Sequence, residues 1–190
     1  MPRQPMNNSS ASIKDLIADL NSKNGMTRHH ARNGLIKIGE PAVEALIHVL
    51  KTETGQAHWE AAKALSLIGS PRAAQTLVET LEDDKFSVRW LAAEGLIIMG
   101  YSGLEPLLEA LIQKPDSVRL REGAHHVLYD LLHYWSFNLS TGDIIKSVLD
   151  TLEDIEPSVQ VPISAKQALE DLEKQQKIPA MPKSHLNSFR

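Results

Sequence analysis

Glu122, His126, Tyr129 and His133 stand at i, i+4, i+7 and i+11 of one segment, with His125 beside them. A helix there places a carboxylate, two imidazoles and a phenol on one side. Glutamate and histidine four residues apart can share a metal ion or exchange a proton with a substrate. The same four residues also make an unreactive polar and aromatic strip, with imidazoles that are partly protonated near neutral pH. His29 and His30 lie far along the chain and join this group only if the fold curves them toward it. The chain has eight histidines and no cysteine, so disulfides, thiolate catalysis and cysteine metal sites are excluded. No set of residues fixes a reaction. The expectation is a noncatalytic protein with no catalytic residue, metal ligand or cofactor, and enzymatic activity is left open.

The elements that would position these side chains come from a repeat. The segments TRHHARNGLIKIG (27–39), AHWEAAKALSLIG (57–69) and VRWLAAEGLIIMG (88–100) align without gaps. Ala31, Ala61 and Ala92 correspond, as do Leu35, Leu65 and Leu96, and Gly39, Gly69 and Gly100. Further copies put Ala124 with Leu128 and Ala165 with Leu169 in the same relation. The steps between the alanines are 30, 31, 32 and 41 residues. Between the copies runs a second motif: Leu16-Ile17 with Leu20, Leu46-Ile47 with Leu50, Leu77-Val78 with Leu81, Leu107-Leu108 with Leu111, and Val148-Leu149 with Leu152. Both motifs have helical period, for Thr27, Ala31, Gly34, Leu35 and Ile38 form one stripe of an α-helix. Ser12 is placed to cap the first helix, Ser70-Pro71 starts another, and the glycines at 39, 69 and 100 end second helices. Nothing alternates as a strand does. A fixed period of this length means stacked helix pairs, and five of them occupy 12–176, between tails at 1–11 and 177–190.

With Ala31 as the buried direction and about 100° per residue, positions 29, 33 and 36 point away from the core. The outward rows are His29, Trp59, Trp90, Glu122 and Ile163; then Asn33, Lys63, Glu94, His126 and Gln167; then Ile36, Ser66, Ile97 and Tyr129. Two of three tryptophans thus share a position in adjacent repeats. Helices pack about 8–10 Å apart, so these indoles are expected to be uncovered neighbours on a binding surface, or else to fold down over their own helices. The segment LHYWSFNLSTGD (132–143) is the one insertion, and Tyr134, Trp135 and Phe137 in it either bind or plug a gap.

The pattern Val-Arg-x-x-Ala-Ala-x-Ala-Leu-x-x-Ile-Gly resembles the HEAT repeat, in the short form of phycobilin-lyase-like bacterial proteins. Val88, Arg89, Ala92, Ala93, Leu96 and Gly100 carry the likeness, which covers about residues 12–175. The resemblance implies an all-α, HEAT-like α-α superhelix, a right-handed solenoid of about five helix pairs, with second helices on the concave side. It further implies that Arg28, Arg89 and Arg121 pair with acids of neighbouring turns such as Asp83, Asp84 or Asp116. Such arrays serve many roles, so the likeness specifies a fold and not a function. Two enzyme families on similar repeats fit less well. Deoxyhypusine hydroxylase uses His-Glu pairs where this chain has His29-His30, Trp59-Glu60, Trp90-Leu91 and Glu122-Gly123. HEAT-like DNA glycosylases need a basic groove, and the outward rows hold one lysine.

The function expected from these residues is a scaffold that holds a protein or peptide on its concave face, through His29, Asn33, Trp59, Lys63, Trp90, Glu94, Glu122, His126, Tyr129 and His133. The alternative is a bilin lyase-like, chromophore-handling protein, with the indoles stacked on a tetrapyrrole. A net charge of −4 from 24 acidic and 20 basic residues, without a basic block, speaks against nucleic acid. The polar start is no secretory signal and the apolar runs are too short to span a bilayer, so a cytoplasmic protein is expected. A homodimer is left open.

Overall fold

In each second helix the repeating alanine and leucine fall on one face, so burying that face against the neighbours drives the chain into layers. The structure, a computed structural model, describes residues 12–134 and 138–176. Among the described residues there are ten α-helices and no strand. They are α1 (Ile13–Asp19), α2 (Gly25–Ile38), α3 (Val43–Thr52), α4 (Gly55–Ile68), α5 (Ala74–Thr80), α6 (Phe86–Met99), α7 (Tyr101–Gln113), α8 (Val118–Tyr134), α9 (Leu139–Leu152) and α10 (Pro157–Gln176). The expected tails, together with Trp135 and Phe137 of the insertion, lie outside the described residues. Ser12 caps α1 in a full capping box with Asp15. Ser70 caps the 3-10 turn Pro71–Ala73 that leads into α5, accepting from the Arg72 amide. Gly39, Gly69 and Gly100 all have positive φ and stop α2, α4 and α6.

The even-numbered helices stack α2 on α4, α4 on α6 and α6 on α8, while α1 packs on α3 and α5 on α7. Ala31, Ala61, Ala92 and Ala124 are buried at the stacked faces, and Leu35, Leu65, Leu96 and Leu128 are sealed behind them. Each such leucine stabilises the fold by about 1.5–3 kcal/mol relative to an exposed one. The closest approach is between α4 and α6, where a Cβ on Gly95 would stand 2.6 Å from Leu77 Cδ1 and 3.0 Å from Ser66 Cα. That approach covers Ser66, which is 1% exposed, and leaves Ile36 and Ile97 half-buried. The third outward row expected from the sequence is therefore closed over α4, and only Tyr129 of that row is exposed.

The fifth pair departs from the repeat. α9 packs on α8, and α10 packs on α9 and α7, so the second helix of this pair joins the layer of first helices. Ile163 and Gln167, placed on the outward rows by alignment, therefore do not extend the α2–α8 surface. Where α2, α4 and α6 meet a glycine, α8 has Leu132 and runs on to Tyr134. The exchange of layers thus follows the second helix that passes the position where the others stop.

The repeating arginines differ from the expectation in their partners. Arg28 donates to the Ser22 and Lys23 carbonyls, Arg89 to those of Asp83 and Asp84, and Arg121 to that of Pro115. Their planar forks reach back to carbonyls that follow the preceding helix, and Arg28 also meets a carboxylate of the next repeat, Glu60, at 3.4 Å. The carboxylates of that turn look elsewhere. Asp83 meets His58 Nε2 at 2.9 Å and Asp84 meets Arg119 at 2.7 Å. Glu82 accepts from Lys114 and from the Ser117 hydroxyl, which also caps α8. Burial by itself would raise the Glu82 carboxyl, but these hydrogen bonds and the charges of Lys114 and Arg119 outweigh it and hold it below the usual value.

Two outcomes follow for stability. In Gly95→Ala the backbone of α4 has no room to yield, so overpacking of about 1–3 kcal/mol exceeds the helix-propensity gain of about 1 kcal/mol. Urea unfolding should show a net loss, and a gain would mean α4 and α6 separate easily. Glu82→Gln should lower stability at neutral pH. Because the folded carboxyl is depressed, the difference from wild type is full above pH 4.5 and closes as pH falls through the lower folded value. Parallel acid titrations of unfolding free energy measure that closure.

Candidate functional site

The outward side of α2, α4, α6 and α8 holds the residues expected to bind, and the repeat places them on successive helices. Their surroundings are unequal. Trp59 on α4 is half-buried and packs against the core. Its ring lies under the Arg32 guanidinium, whose carbon is 5.8 Å from the ring centroid. Arg32 is held there by Glu60, which is only 5% exposed. Glu60 takes Arg32 Nη1 at 2.6 Å and Arg28 Nε at 3.4 Å. Two cations around one buried carboxylate compensate the cost of removing it from water. They also pull Trp59 toward α2.

Trp90 on α6 faces the other way and is 45% exposed. It meets His126 of α8 edge-on at 4.4 Å and Phe86 at 6.1 Å. Phe86 is 66% exposed and lies under Arg89. Among the described residues no ring contact joins Trp59 to Trp90. The expected pair of uncovered neighbouring indoles is thus replaced by one covered ring and one open ring. Each is turned by a partner from a different repeat. Phe86 was missed in the sequence because it precedes the aligned segment by two residues. Its signal was an aromatic one turn ahead of Trp90.

The α8 row also divides. Glu122 and His126 line a cavity of about 130 Å³ between α6 and α8, with Trp90, Phe86, Arg89 and Arg119. His126 Nε2 is 3.6 Å from Glu94 and 3.8 Å from Asp130. On the next strip of α8, Tyr129 stacks on His133 at 4.1 Å and on His125 at 6.2 Å. The His133 Nδ1 position is fixed by the Tyr129 carbonyl at 2.7 Å, and His125 Nε2 by Glu153 at 2.9 Å. Among the described residues no three His, Asp or Glu side chains converge as a metal ion needs. Asn33 and His29 are exposed and lie 3.3 Å apart, while Lys63 is half-buried. The structure therefore gathers Trp90, Glu94, Glu122 and His126 around the α6–α8 seam. His29, Asn33, Trp59 and Lys63 lie apart from it, on α2 and α4.

HEAT repeats match residues 13–97 and 56–129. The chain belongs to the HEAT-repeat family. It is similar to the phycocyanobilin lyase subunit beta of Thermosynechococcus vestitus, 29% identical over 166 residues, 81% of this chain and 78% of that one. It is also similar to the phycocyanobilin lyase subunit alpha of Picosynechococcus sp., 35% identical over 97 residues. That match covers 47% of this chain and spans 36% of the length of the alpha subunit. The repeats are thus of the phycobilin-lyase-like kind. The family match ends before α9 and α10, where the layers exchange. Among the described residues no helix is long and apolar enough to cross a membrane.

The two indoles should respond differently to truncation. Trp59→Ala removes part of the packed core and should cost about 2–3 kcal/mol, somewhat less than for a fully buried ring. Trp90→Ala should stay within about 1 kcal/mol of wild type. Thermal melts of both single variants compare them directly, and equal losses would contradict the geometry.

Proposed function

We propose that this chain is a noncatalytic repeat subunit that holds a protein partner on the surface formed by its even-numbered helices, centred on the α6–α8 seam. The supporting observation is the exposed aromatic cluster of Trp90 and Phe86, rimmed by Arg119, Glu122 and His126. An indole left open in a packed array, beside a second open ring, has the composition of an interface anchor. Both relatives are named as subunits of a lyase, which favours a role inside an assembly. Pull-downs with Trp90→Ala plus Phe86→Ala provide the test. The variant should keep the wild-type melting temperature and lose the partner that wild type retains. Retention of the same proteins by both would refute the reading.

A second reading, handling of a bilin, is favoured by likeness to a lyase subunit over 81% of the chain. The α6–α8 cavity is about 130 Å³, against roughly 300–1,000 Å³ for pockets that enclose ligands of that class. At this seam a bilin would have to lie on the surface or be shared with a partner protein. Added phycocyanobilin should then shift its absorption band with wild type and not with Trp90→Ala. An unshifted band with wild type counts against it.

A further inference from the structure

The lining between α6 and α8 differs from that of the earlier seams at one position. The position before the repeating alanine carries Glu60 on α4 and Leu91 on α6, both buried. On α8 it carries Gly123, and the Leu81 side chain comes up against it. Leu81 is the floor, 3.0 Å from where a Cβ on residue 123 would be. Trp90, Phe86 and Ala93 complete the apolar lining. A closed cavity of about 150 Å³ holds a benzene ring. The 130 Å³ here therefore suits one aromatic side chain and nothing much larger.

The mouth has a sign. Arg89 spends its hydrogen bonds on two backbone carbonyls, which leave its charge uncompensated. Arg119 pairs with Asp84, whose side chain is 94% exposed, and also lies near Glu82, which Lys114 engages directly; exposed pairs of this kind are worth little. The negative group on the rim, Glu122, sits one turn beyond Arg119 along α8. His126 faces Glu94 and Asp130 on the far side of the indole. An approaching carboxylate is therefore favoured on the Arg119 edge and disfavoured on the Glu122 edge.

We propose that this notch is an anchor pocket for a single aromatic side chain of a partner polypeptide, preceded by an acidic residue that engages Arg119. This rests on the protein-binding reading above and goes beyond it by naming the chemistry of the contact. The indole N–H resonance of Trp90, assigned with Trp90→Phe, reports occupancy. N-acetyl-Asp-Phe-amide should shift it saturably, with a dissociation constant on the order of 1–10 mM. N-acetyl-Lys-Phe-amide should bind about threefold more weakly, as the loss of an exposed ion pair implies, and N-acetyl-Asp-Ala-amide should give no saturable shift. Gly123→Leu presses on Leu81 at the floor of the notch and should abolish the response. Arg119→Glu lies at the surface, keeps the fold whether or not Gly123→Leu does, and should reverse the order of the two Phe peptides. The assignment is overturned by a flat titration, by equal response to the Ala peptide, or by an order that Arg119→Glu leaves unchanged. It is also overturned if Trp90→Ala converts a dimer to a monomer, since a second copy would then fill the notch. If the peptides fail while Trp90→Ala plus Phe86→Ala still releases a retained partner, the binding face stands and only the anchor chemistry falls. If the double variant releases nothing, the binding face itself falls.

Discussion

Close approach of the stacked helices governs the rest of the molecule. Ala31, Ala61, Ala92 and Ala124, with glycine at 95, keep the facing surfaces thin enough for backbones to come near one another. Once the helices sit that close, their outward residues fall into rows, and a difference at one position of one helix becomes a difference in surface shape. Burial of the leucines behind the alanines supplies the main driving force. The arginine-to-carbonyl contacts then fix how each pair turns onto the next. The surface chemistry is a dependent of that spacing.

Charge is handled by two separate devices. Glu60 is buried and shared by Arg28 and Arg32 in the first half of the array. Glu82 is drawn to the start of α8 by Lys114 and Ser117 in the second half. Between them, Arg89 is satisfied by carbonyls alone and meets no carboxylate in the contacts described. The consequence is an uneven surface. At the α2–α4 seam the guanidinium groups are drawn inward onto a buried carboxylate, while the α6–α8 seam is open, aromatic and edged by guanidinium groups.

Much of the fold was legible because its signals are local. Equal spacing of alanine, leucine and glycine identified the helix pairs. Ser12, Ser70 and the glycines at 39, 69 and 100 marked ends that the chain uses. The difference between Trp59 and Trp90 was not legible, although the alignment treats them alike. What separates them is Arg32 on one neighbouring helix and His126 and Gly123 on another, contacts between positions about 27–36 residues apart in sequence. The arginine partners were legible only in part: Arg28 does meet a carboxylate of the next repeat, Glu60, but for Arg89 spacing identifies the nearby acids and not that their carbonyls are the acceptors. Ser66 looked outward on a single helical wheel and is covered by the next helix through Gly95.

The exchange of layers at α9 and α10 bears on how such an array can grow. Every earlier pair presents a first helix and a second helix in the same places to its successor, so copying one pair in tandem reproduces the joint. After α8 that equivalence is gone, because the surface offered to a newcomer has the two roles transposed. Duplication can lengthen the array without redesigning a junction only upstream of that exchange, where each new pair would meet its neighbour as the one before it does.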